Sequence, residues 1–360
     1  MSIPHKILII IQRSNGDVFL SIGLIKALYE FYDFPQIDLL VNDDTYQVAK
    51  LLPHINFIHR FSYIKKVENQ WKQEKSLLIK LFRKYDLSIN LTSSDRSVLY
   101  AVMSSKRSIS VIEKDIKKSW WKKLLLNSFY YYDASKHILE QNYKPLRTLG
   151  INTDNILHSV VIKSEIRINI EEKLKKEGIK DFLIFHPSAQ YYYKILPKKH
   201  RDELLAMLSR LGLSIIVTGS NNEIDTNIKR ELPKLDNLFD FIGETSLEEY
   251  FALSQLSSAY IGMDTLNMHI AASQNKRVFA IYGPTNLKMW SPWSNKLQKS
   301  SDINMPLQTY GNISIFQANM PCVACGRAGC DGSGVSECLN NISPSMIYKE
   351  VKNWLKDNEL

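Results

Sequence analysis

The sequence predicts an α/β protein of two doubly wound domains, each built on a parallel β-sheet. Short apolar runs alternate with helical patterns from the start, beginning with a run at residues 6–12 and a helix at about 18–32. The runs lack period-two alternation, which is typical of strands covered on both faces. The same rhythm begins again after a polar, charged stretch at about 163–180, so two βα series follow one another.

The predicted strands divide into two groups. In the first series they cover residues 6–12, 37–41, 55–58 and 87–91. In the second they cover residues 182–185, 213–217, 239–242, 259–261 and 278–282. We place the domains at 1–165 and at 166–342, the latter with a cysteine-rich loop at 320–340, followed by a helix at 343–360 that crosses back to another surface. Because open α/β sheets bind ligands beyond the carboxyl ends of their strands, function is expected in loops facing a shared cleft.

The charge balance indicates an anionic partner. The chain has 46 Lys and Arg against 37 Asp and Glu, a net charge of +9. A membrane surface, a phosphorylated substrate or a nucleic acid would each suit this excess. Nucleic acid is the weakest of the three, because the basic residues are interleaved with acids and the sequence contains no known recognition module.

Several features favour a cytoplasmic protein, soluble or peripheral at a membrane. No run of eighteen apolar residues occurs, so a spanning helix is not expected. The apolar N-terminal stretch is followed by Gln12, Arg13 and Asp17 in place of a small-residue cleavage site, which argues against a signal peptide. The cysteines are clustered, unlike the disulfide framework of a secreted fold.

The four cysteines form a C-x₂-C-x₄-C-x₇-C pattern in a glycine-rich segment; they are Cys322, Cys325, Cys330 and Cys338. The first pair has the spacing of metal ligands, whereas the second half is unlike common zinc ribbons. Two interpretations stay open: a structural zinc or iron, or four reduced thiols. We predict no metal in the catalytic site.

The first candidate loop, residues 13–17, follows the strongest predicted strand and contains Gly16 and Asp17. Asp17 would lie at the floor of the cleft. Equally, it could cap the helix while Gly16 permits a tight turn. The dinucleotide fingerprint G-x-G-x-x-G is absent.

Three loops of the second domain carry polar groups at predicted strand ends. One holds Ser188 and Lys194, and the next ends in Glu223. The third, residues 261–272, runs from a strand end into a helix of small residues, whose first N–H groups and positive dipole end could hold a phosphate. Each also has a structural alternative. Lys194 could be a solvated lysine, Glu223 an ordinary acid in a first helical turn, and His269, one turn into the third loop's helix, a structural histidine.

Together these loops resemble glycosyltransferase family 9, the ADP-heptose:lipopolysaccharide heptosyltransferases. The order of the motifs carries the resemblance: Gly-Asp after the first strand, Lys-x-x-Pro, Gly-x-x-x-Glu, Asp-Thr-x-x-x-His and Gly-Pro-Thr-Asn span nearly the whole chain. The segment 290–295 and Arg13, four residues before Asp17, look more like the heptosyltransferase III branch. The resemblance implies a GT-B-type fold, in which two such domains face each other across a cleft.

The resemblance also implies roles for individual residues. Asp17 matches the catalytic base and Lys194 the lysine that contacts phosphate. Arg13 and Asn15 of the same first loop are expected on the acceptor side. The expected donor-binding residues are Ser188, Glu223 on the ribose, Asp264, Thr265, Leu266 and His269. The sequence departs from the family at Leu266 and Asn267, where Gly or Ala and a small residue or Pro are usual, so the bulky Leu266 could narrow the pocket.

The implied reaction is an inverting displacement that needs no cofactor and no essential metal. A nucleotide-activated donor already has a good leaving group, so one base and positive groups for the diphosphate suffice. ADP-heptose is the expected donor, and the lipopolysaccharide core or a lipid A-linked sugar is the expected acceptor. The rivals are a nucleotide-sugar epimerase of similar fold and a non-catalytic protein that binds nucleotide sugar or lipid.

A basic segment of the first domain suggests contact with the inner face of the inner membrane. Residues 104–123 hold seven Lys or Arg against two acids, and apolar and aromatic residues follow. Lys117 and Lys118 of this segment are expected to bind the acceptor. Tryptophan and lysine together favour a membrane interface with anionic lipid. The alternative is a helix with its apolar face in the core and its charges in water.

Overall fold

A computed structural model describes residues 3–358, without the side chains of residues 65–70. Residues 1–2 of the predicted first domain and residues 359–360 of the predicted C-terminal helix lie outside the described residues. The chain forms two compact units, Met1–Val160 and Val161–Leu360. The division falls five residues before the predicted boundary at 165/166, because helix Ser164–Lys176 packs on the second unit.

The first unit is built on a six-stranded sheet in the order β3-β2-β1-β4-β5-β6. All five strand pairs are parallel. The strands are β1 (Lys6–Ile11), β2 (Gln36–Asn42), β3 (Ile55–Phe61), β4 (Tyr85–Asn90), β5 (Ser105–Ile112) and β6 (Ser128–Tyr131).

The second unit has a seven-stranded sheet in the order β12-β13-β11-β10-β7-β8-β9. It is parallel except at the edge, where β12 pairs with β13 in the antiparallel sense. The strands are β7 (Phe182–His186), β8 (Ser214–Gly219), β9 (Leu238–Ile242), β10 (Ala259–Met263), β11 (Arg277–Ile281), β12 (Leu307–Tyr310) and β13 (Ile313–Phe316).

Helices connect the strands. In the first unit they are α1 (Asn15–Phe19), α2 (Ile22–Phe31), α3 (Tyr46–Ala49), α4 (Tyr63–Leu81), α5 (Asp95–Ser104), α6 (Ile116–Leu125), α7 (Ile138–Asn142) and α8 (Lys144–Thr148). In the second unit they are α9 (Ser164–Lys176), α10 (Lys198–Leu208), α11 (Glu223–Arg230), α12 (Leu247–Leu256), α13 (Leu266–Ser273), α14 (Leu287–Trp290), α15 (Glu337–Asn340) and α16 (Pro344–Asp357).

The apolar runs fold as the sequence predicts. In β1 every residue after Lys6 is buried, and β7 and β10 are buried throughout. A strand covered on both faces needs apolar residues at every position, which explains the missing alternation. The prediction of two parallel-sheet α/β domains is confirmed.

Four strands were not predicted from the sequence: β5, β6 and the edge pair β12 and β13. In β5 serines occupy buried positions, and their polarity hid the strand. Ser108 Oγ donates to Asn127 Oδ1 at 3.2 Å, and Asn90 Nδ2 donates to Ser110 Oγ at 2.9 Å. Buried hydroxyls are tolerated because they are hydrogen-bonded.

Helix α16, predicted to cross back to another surface, packs against α10 of the second unit. Its buried residues Ile347, Val351 and Leu355 belong to that unit's apolar core. Pro344 occupies the first turn, where its missing N–H costs nothing. Spaced at four residues, the three apolar side chains form one helical face, so burial stabilises the helix against its own unit.

Among the described residues, none of the helices is both long enough and apolar enough to cross a bilayer.

Candidate functional site

The loop after β1 holds a buried carboxylate. Asp17 is the third residue of α1 and is 5% exposed. Its Oδ2 accepts hydrogen bonds from Ser14 N at 3.2 Å and from Ser14 Oγ at 2.7 Å. Its Oδ1 lies 3.0 Å from Arg13 Nε. Asp17 thus caps the helix, as one interpretation predicted, and its local contacts also fix the orientation of the carboxylate.

Burial raises the pKa of Asp17 above its ordinary value. The charge of Arg13 and the hydrogen bonds from Ser14 act in the opposite direction and lower that pKa, but burial has the larger effect. A carboxylate with a raised pKa binds a proton more readily, which is what a general base requires.

One neighbour of Asp17, Gln12, was not singled out as a site residue from the sequence. The side chain of Gln12 at the end of β1 is buried, and neither its amide nitrogen nor its oxygen has a hydrogen-bond partner within the described structure. Buried amides are normally paired, so Gln12 is available to a ligand. The Arg13 guanidinium lies 5.7 Å from the Tyr132 ring centroid, whereas Asn15, predicted on the acceptor side, is exposed.

Helix α6 buries polar residues and exposes large apolar ones. Its buried residues are Ser119 and Lys122, and Lys122 is fully buried. The Lys122 ammonium lies 2.7 Å from Asp95 Oδ1 and 2.7 Å from Glu113 Oε2, so its charge is compensated inside the unit. The predicted alternative, a helix with its apolar face in the core and its charges in water, fits Trp121, which packs against a core cluster, but not the exposed Leu124 or the buried Lys122.

The outer face of α6 is apolar and basic. The exposed fractions are 71% for Ile116, 58% for Trp120, 76% for Leu124 and 50% for Leu125. Lys117 and Lys118 are exposed on the same helix. Large apolar side chains grouped with lysines on one helix form a surface that needs a partner. We name it the α6 surface.

In the second unit the loop after β7 reaches the loop after β10. Lys194, in a short 3₁₀ turn at Tyr192–Lys194, places its ammonium 3.2 Å from Asp264 Oδ2. The side chain of Lys194 is 25% exposed and that of Asp264 is 9% exposed. Two residues that are 70 positions apart therefore meet, as expected for carboxyl-end loops of strands in one sheet.

His269 lies in the first turns of α13 and is buried. The pKa of His269 is lowered to about 4, chiefly by burial; the charge of Asp264 raises it and that of Lys194 lowers it. The imidazole is therefore neutral near pH 7. Its Nδ1 has no hydrogen-bond partner within the described part of the chain, so His269 can offer a hydrogen bond but no positive charge to a phosphate.

A second histidine, His186 at the end of β7, joins the same region. Its Nδ1 lies 3.0 Å from Thr218 Oγ1 and 3.2 Å from Asn267 Nδ2. Burial lowers the pKa of His186, and the charge of Asp225 opposes that effect. The departure at Asn267 thus has a structural consequence, because its amide ties α13 to β7.

The predicted ribose carboxylate lies beside a second acid. Glu223 is exposed at the first position of α11, whereas Asp225 is buried. The Oδ2 atom of Asp225 accepts hydrogen bonds from Ser220 N at 2.7 Å and Ser220 Oγ at 2.8 Å. Asp225, and not Glu223, therefore holds the loop after β8 in place by these hydrogen bonds.

The remaining predicted donor residues surround the start of α13 or lie on the β7 loop. Thr265 is the N-cap of α13, and Leu266 is its first residue and half-buried. Ser188 is buried in the loop after β7. Thr285, in the loop after β11, is also buried, and its hydroxyl has no partner among the described groups. The second unit thus brings Lys194, Asp264 and His269 together around one helix start.

Comparison with known proteins decides the family. The sequence model of glycosyltransferase family 9 (heptosyltransferase) matches residues 75–316. The chain belongs to this family. It is therefore a glycosyltransferase, and the resemblance read from its motifs is confirmed.

Curated relatives of this glycosyltransferase are heptosyltransferases. Lipopolysaccharide heptosyltransferase 3 of Escherichia coli K12 is 26% identical over 299 residues, which cover 79% of this chain and 85% of that protein. Lipooligosaccharide heptosyltransferase 2 of Campylobacter jejuni serotype O:2 is 25% identical over 241 residues, which cover 64% and 69%.

Solved structures share the fold. A family 9 glycosyl transferase from Veillonella parvula has a TM-score of 0.77 at 17% identity and covers 99% of both chains. E. coli ADP-heptose lps heptosyltransferase II has a TM-score of 0.73 at 20% identity, covering 99% of this chain and 100% of that one. E. coli heptosyltransferase WaaC with ADP has a TM-score of 0.72 at 14% identity, covering 97% and 99%. The predicted GT-B-type fold is thereby confirmed, and the family disfavours the epimerase rival.

Proposed function

We propose that this glycosyltransferase transfers a heptose from ADP-heptose to the lipopolysaccharide inner core on the cytoplasmic side of the inner membrane. The observation that carries the proposal is the buried Asp17 carboxylate, oriented by Arg13 and Ser14 with a raised pKa. Solved relatives described with ADP and with ADP-2-deoxy-2-fluoro heptose support the choice of donor.

In the proposed reaction Asp17 takes the proton of an acceptor hydroxyl. The acceptor oxygen then forms a bond to the anomeric carbon while the bond from that carbon to the diphosphate breaks. Direct displacement inverts the anomeric carbon, and ADP leaves with the electron pair. The departing charge is stabilised most strongly by groups that are already in place.

On the donor side Lys194 supplies the positive charge. Its ammonium is held 3.2 Å from Asp264 and remains partly exposed, so it can also reach a phosphate oxygen. The N–H groups at the start of α13, an eight-residue helix, add the positive end of a helix dipole. Neutral His269 contributes a hydrogen bond, and Glu223 accepts from the ribose.

The function is tested by incubating the purified chain with ADP-heptose and other nucleotide sugars against truncated lipopolysaccharide cores, read by mass. The expected result is a gain of one heptose on the core, with ADP released only when acceptor is present. Sugar isomerisation without acceptor would indicate the epimerase. Donor binding without turnover on any core would indicate the non-catalytic rival.

The α6 surface is the proposed contact with anionic lipid. Its apolar side chains Ile116, Trp120 and Leu124 are exposed, and Lys117 and Lys118 complement negative headgroups. The ion pairs that buried Lys122 makes with the more exposed Asp95 and Glu113 anchor the helix so that this face stays outward. A lipid-linked acceptor would then be met at the membrane surface.

Replacing Ile116 and Leu124 together by serine is expected to lower binding to anionic liposomes by at least about tenfold, since each buried large apolar side chain contributes about 1.5–3 kcal/mol. Flotation with vesicles that contain anionic lipid measures this. The matched control replaces Ile303 and Met305, which are 56% and 47% exposed in the second unit, by serine. Equal flotation of both double variants would contradict the assignment of the α6 surface.

A further inference from the structure

The four cysteines converge on one small cavity. The cavity, about 10 Å³, is lined by Pro284, Cys322, Val323, Cys325, Gly329, Cys330, Ser336 and Cys338. That volume is about the space of a single water-sized sphere, too small for an organic ligand. All four thiols are free of disulfide bonds. Four cysteines spread over seventeen positions of the sequence therefore line one cavity that is about the size of an ion.

The backbone is folded so as to produce this convergence. Gly329 has a φ of +97°, and a Cβ at this position would lie 2.8 Å from the Gly334 backbone, so only glycine fits. The Cys330 N–H then donates to Val335 O at 2.7 Å. This tight return brings Cys330 back towards Cys338, on the short helix α15.

We propose that Cys322, Cys325, Cys330 and Cys338 form a closed tetrathiolate site for one structural zinc ion. Four cysteines are a complete ligand set for structural zinc, and the C-x₂-C pair has the usual spacing. All four line the cavity; Cys322 and Cys325 are exposed, Cys330 is half-buried and Cys338 is buried. The catalytic residues lie outside this set.

Among the described residues, no group of three or more His, Cys, Asp or Glu side chains is placed so that it could hold a metal ion as the side chains stand. Metal binding therefore requires the cysteine side chains to change rotamer. A cysteine sulfur has one side-chain torsion, and a change of rotamer moves it by a distance comparable to a zinc–sulfur bond, about 2.3 Å. The cavity already has the four cysteines on its wall, so the backbone path needs no new topology.

A zinc ion here would brace the loop after β11. Pro284 lines the cavity, and its carbonyl accepts a hydrogen bond from Gly326 N at 2.7 Å. Leu339, next to Cys338, packs against Gly283, where a Cβ would come within 3.1 Å of it. The Gly-Pro-Thr-Asn motif thus takes its position in part from the cysteine loop, and the ion would fix that loop.

The test is the metal content of the full chain, purified without chelator under reducing conditions. We expect about one zinc per chain by elemental analysis, as for a closed structural site. The Cys322→Ser and Cys330→Ser variants are expected to lose at least about tenfold in zinc content after dialysis against a weak chelator, because each removes a ligand. Ser333→Ala, in the same loop and off the cavity wall, is the matched control and should keep its zinc.

Exposed Cys322 makes the test robust, because its replacement by serine removes no core contact. Circular dichroism checks that each variant is folded. Cobalt substitution gives a second readout, since sulfur-to-cobalt charge-transfer absorption should appear in the wild-type chain and weaken in both cysteine variants. Folded wild-type chain that holds no zinc after reconstitution, or that is isolated with iron instead, overturns the proposal.

Discussion

Replacing Asp17 by asparagine is expected to lower the rate of transfer by about 10²- to 10⁴-fold, which is the contribution of a well-placed general base. Asparagine keeps the shape of the side chain but cannot take a proton. ADP binding should be unchanged, because the proposed donor residues lie in the second unit. Turnover is measured with ADP-heptose and truncated core by mass or by ADP release.

The same variant should be at least as stable as the wild type at pH 7. Burial raises the pKa of Asp17 in the folded chain, so protonation of this carboxyl favours folding. Its contribution to the free energy of unfolding is fully present below the pKa that Asp17 has in the unfolded chain. It is lost as pH rises through the folded pKa, so at pH 7 the buried charge already costs stability. Asparagine removes that charge. Thermal unfolding at pH 7 measures the difference.

The pH profile separates a base from a merely structural acid. Activity of the wild type should fall as pH drops through the raised pKa of Asp17. Since the charge of Arg13 lowers that pKa, Arg13→Ala should move the acidic limb to higher pH. Asp44→Asn, at an exposed acid of the same unit, is the control and should leave both rate and profile unchanged. Wild-type turnover by Asp17→Asn would refute the assignment.

Replacing Lys194 by methionine is expected to reduce kcat/KM by about 10²- to 10³-fold, the typical effect of losing one preorganised group that stabilises developing charge. Methionine retains much of the aliphatic length but removes the ammonium 3.2 Å from Asp264. Steady-state kinetics with ADP-heptose measures the loss. Lys198→Met is the matched control, because Lys198 is 55% exposed and pairs with Asp202 on the helix surface.

A spectroscopic readout tests whether the Lys194 ammonium lies close to His269. The charge of Lys194 lowers the pKa of His269, while Asp264 raises it. Removing the ammonium should therefore raise the His269 pKa above about 4, which histidine NMR can follow. An unchanged His269 pKa together with unchanged kinetics would contradict the proposed position of Lys194 in the site.

Part of the site was readable from local sequence. The Gly16-Asp17 loop after β1 and the Asp264-Thr265 start of α13 follow strongly apolar strands, and strand-to-helix junctions are set by residues close in the chain. Of the two interpretations of Asp17, the structure shows the helix cap, because Oδ2 accepts a hydrogen bond from Ser14 N at the start of α1. Its catalytic role stays a prediction. Asp225 was missed because an acid in a first helical turn carries no sign that it is buried.

The amino-acid pattern alone determined the two-domain α/β architecture and the family, since apolar runs and motif order are properties of the linear chain. Tertiary structure decided the state of individual groups: which face of α6 is exposed, that His269 is neutral, and that the four thiols meet at one cavity. These depend on neighbours distant in sequence. Lys122 can be buried because Asp95 and Glu113 lie beside its ammonium. The pattern of residues within α6 does not predict these two contacts.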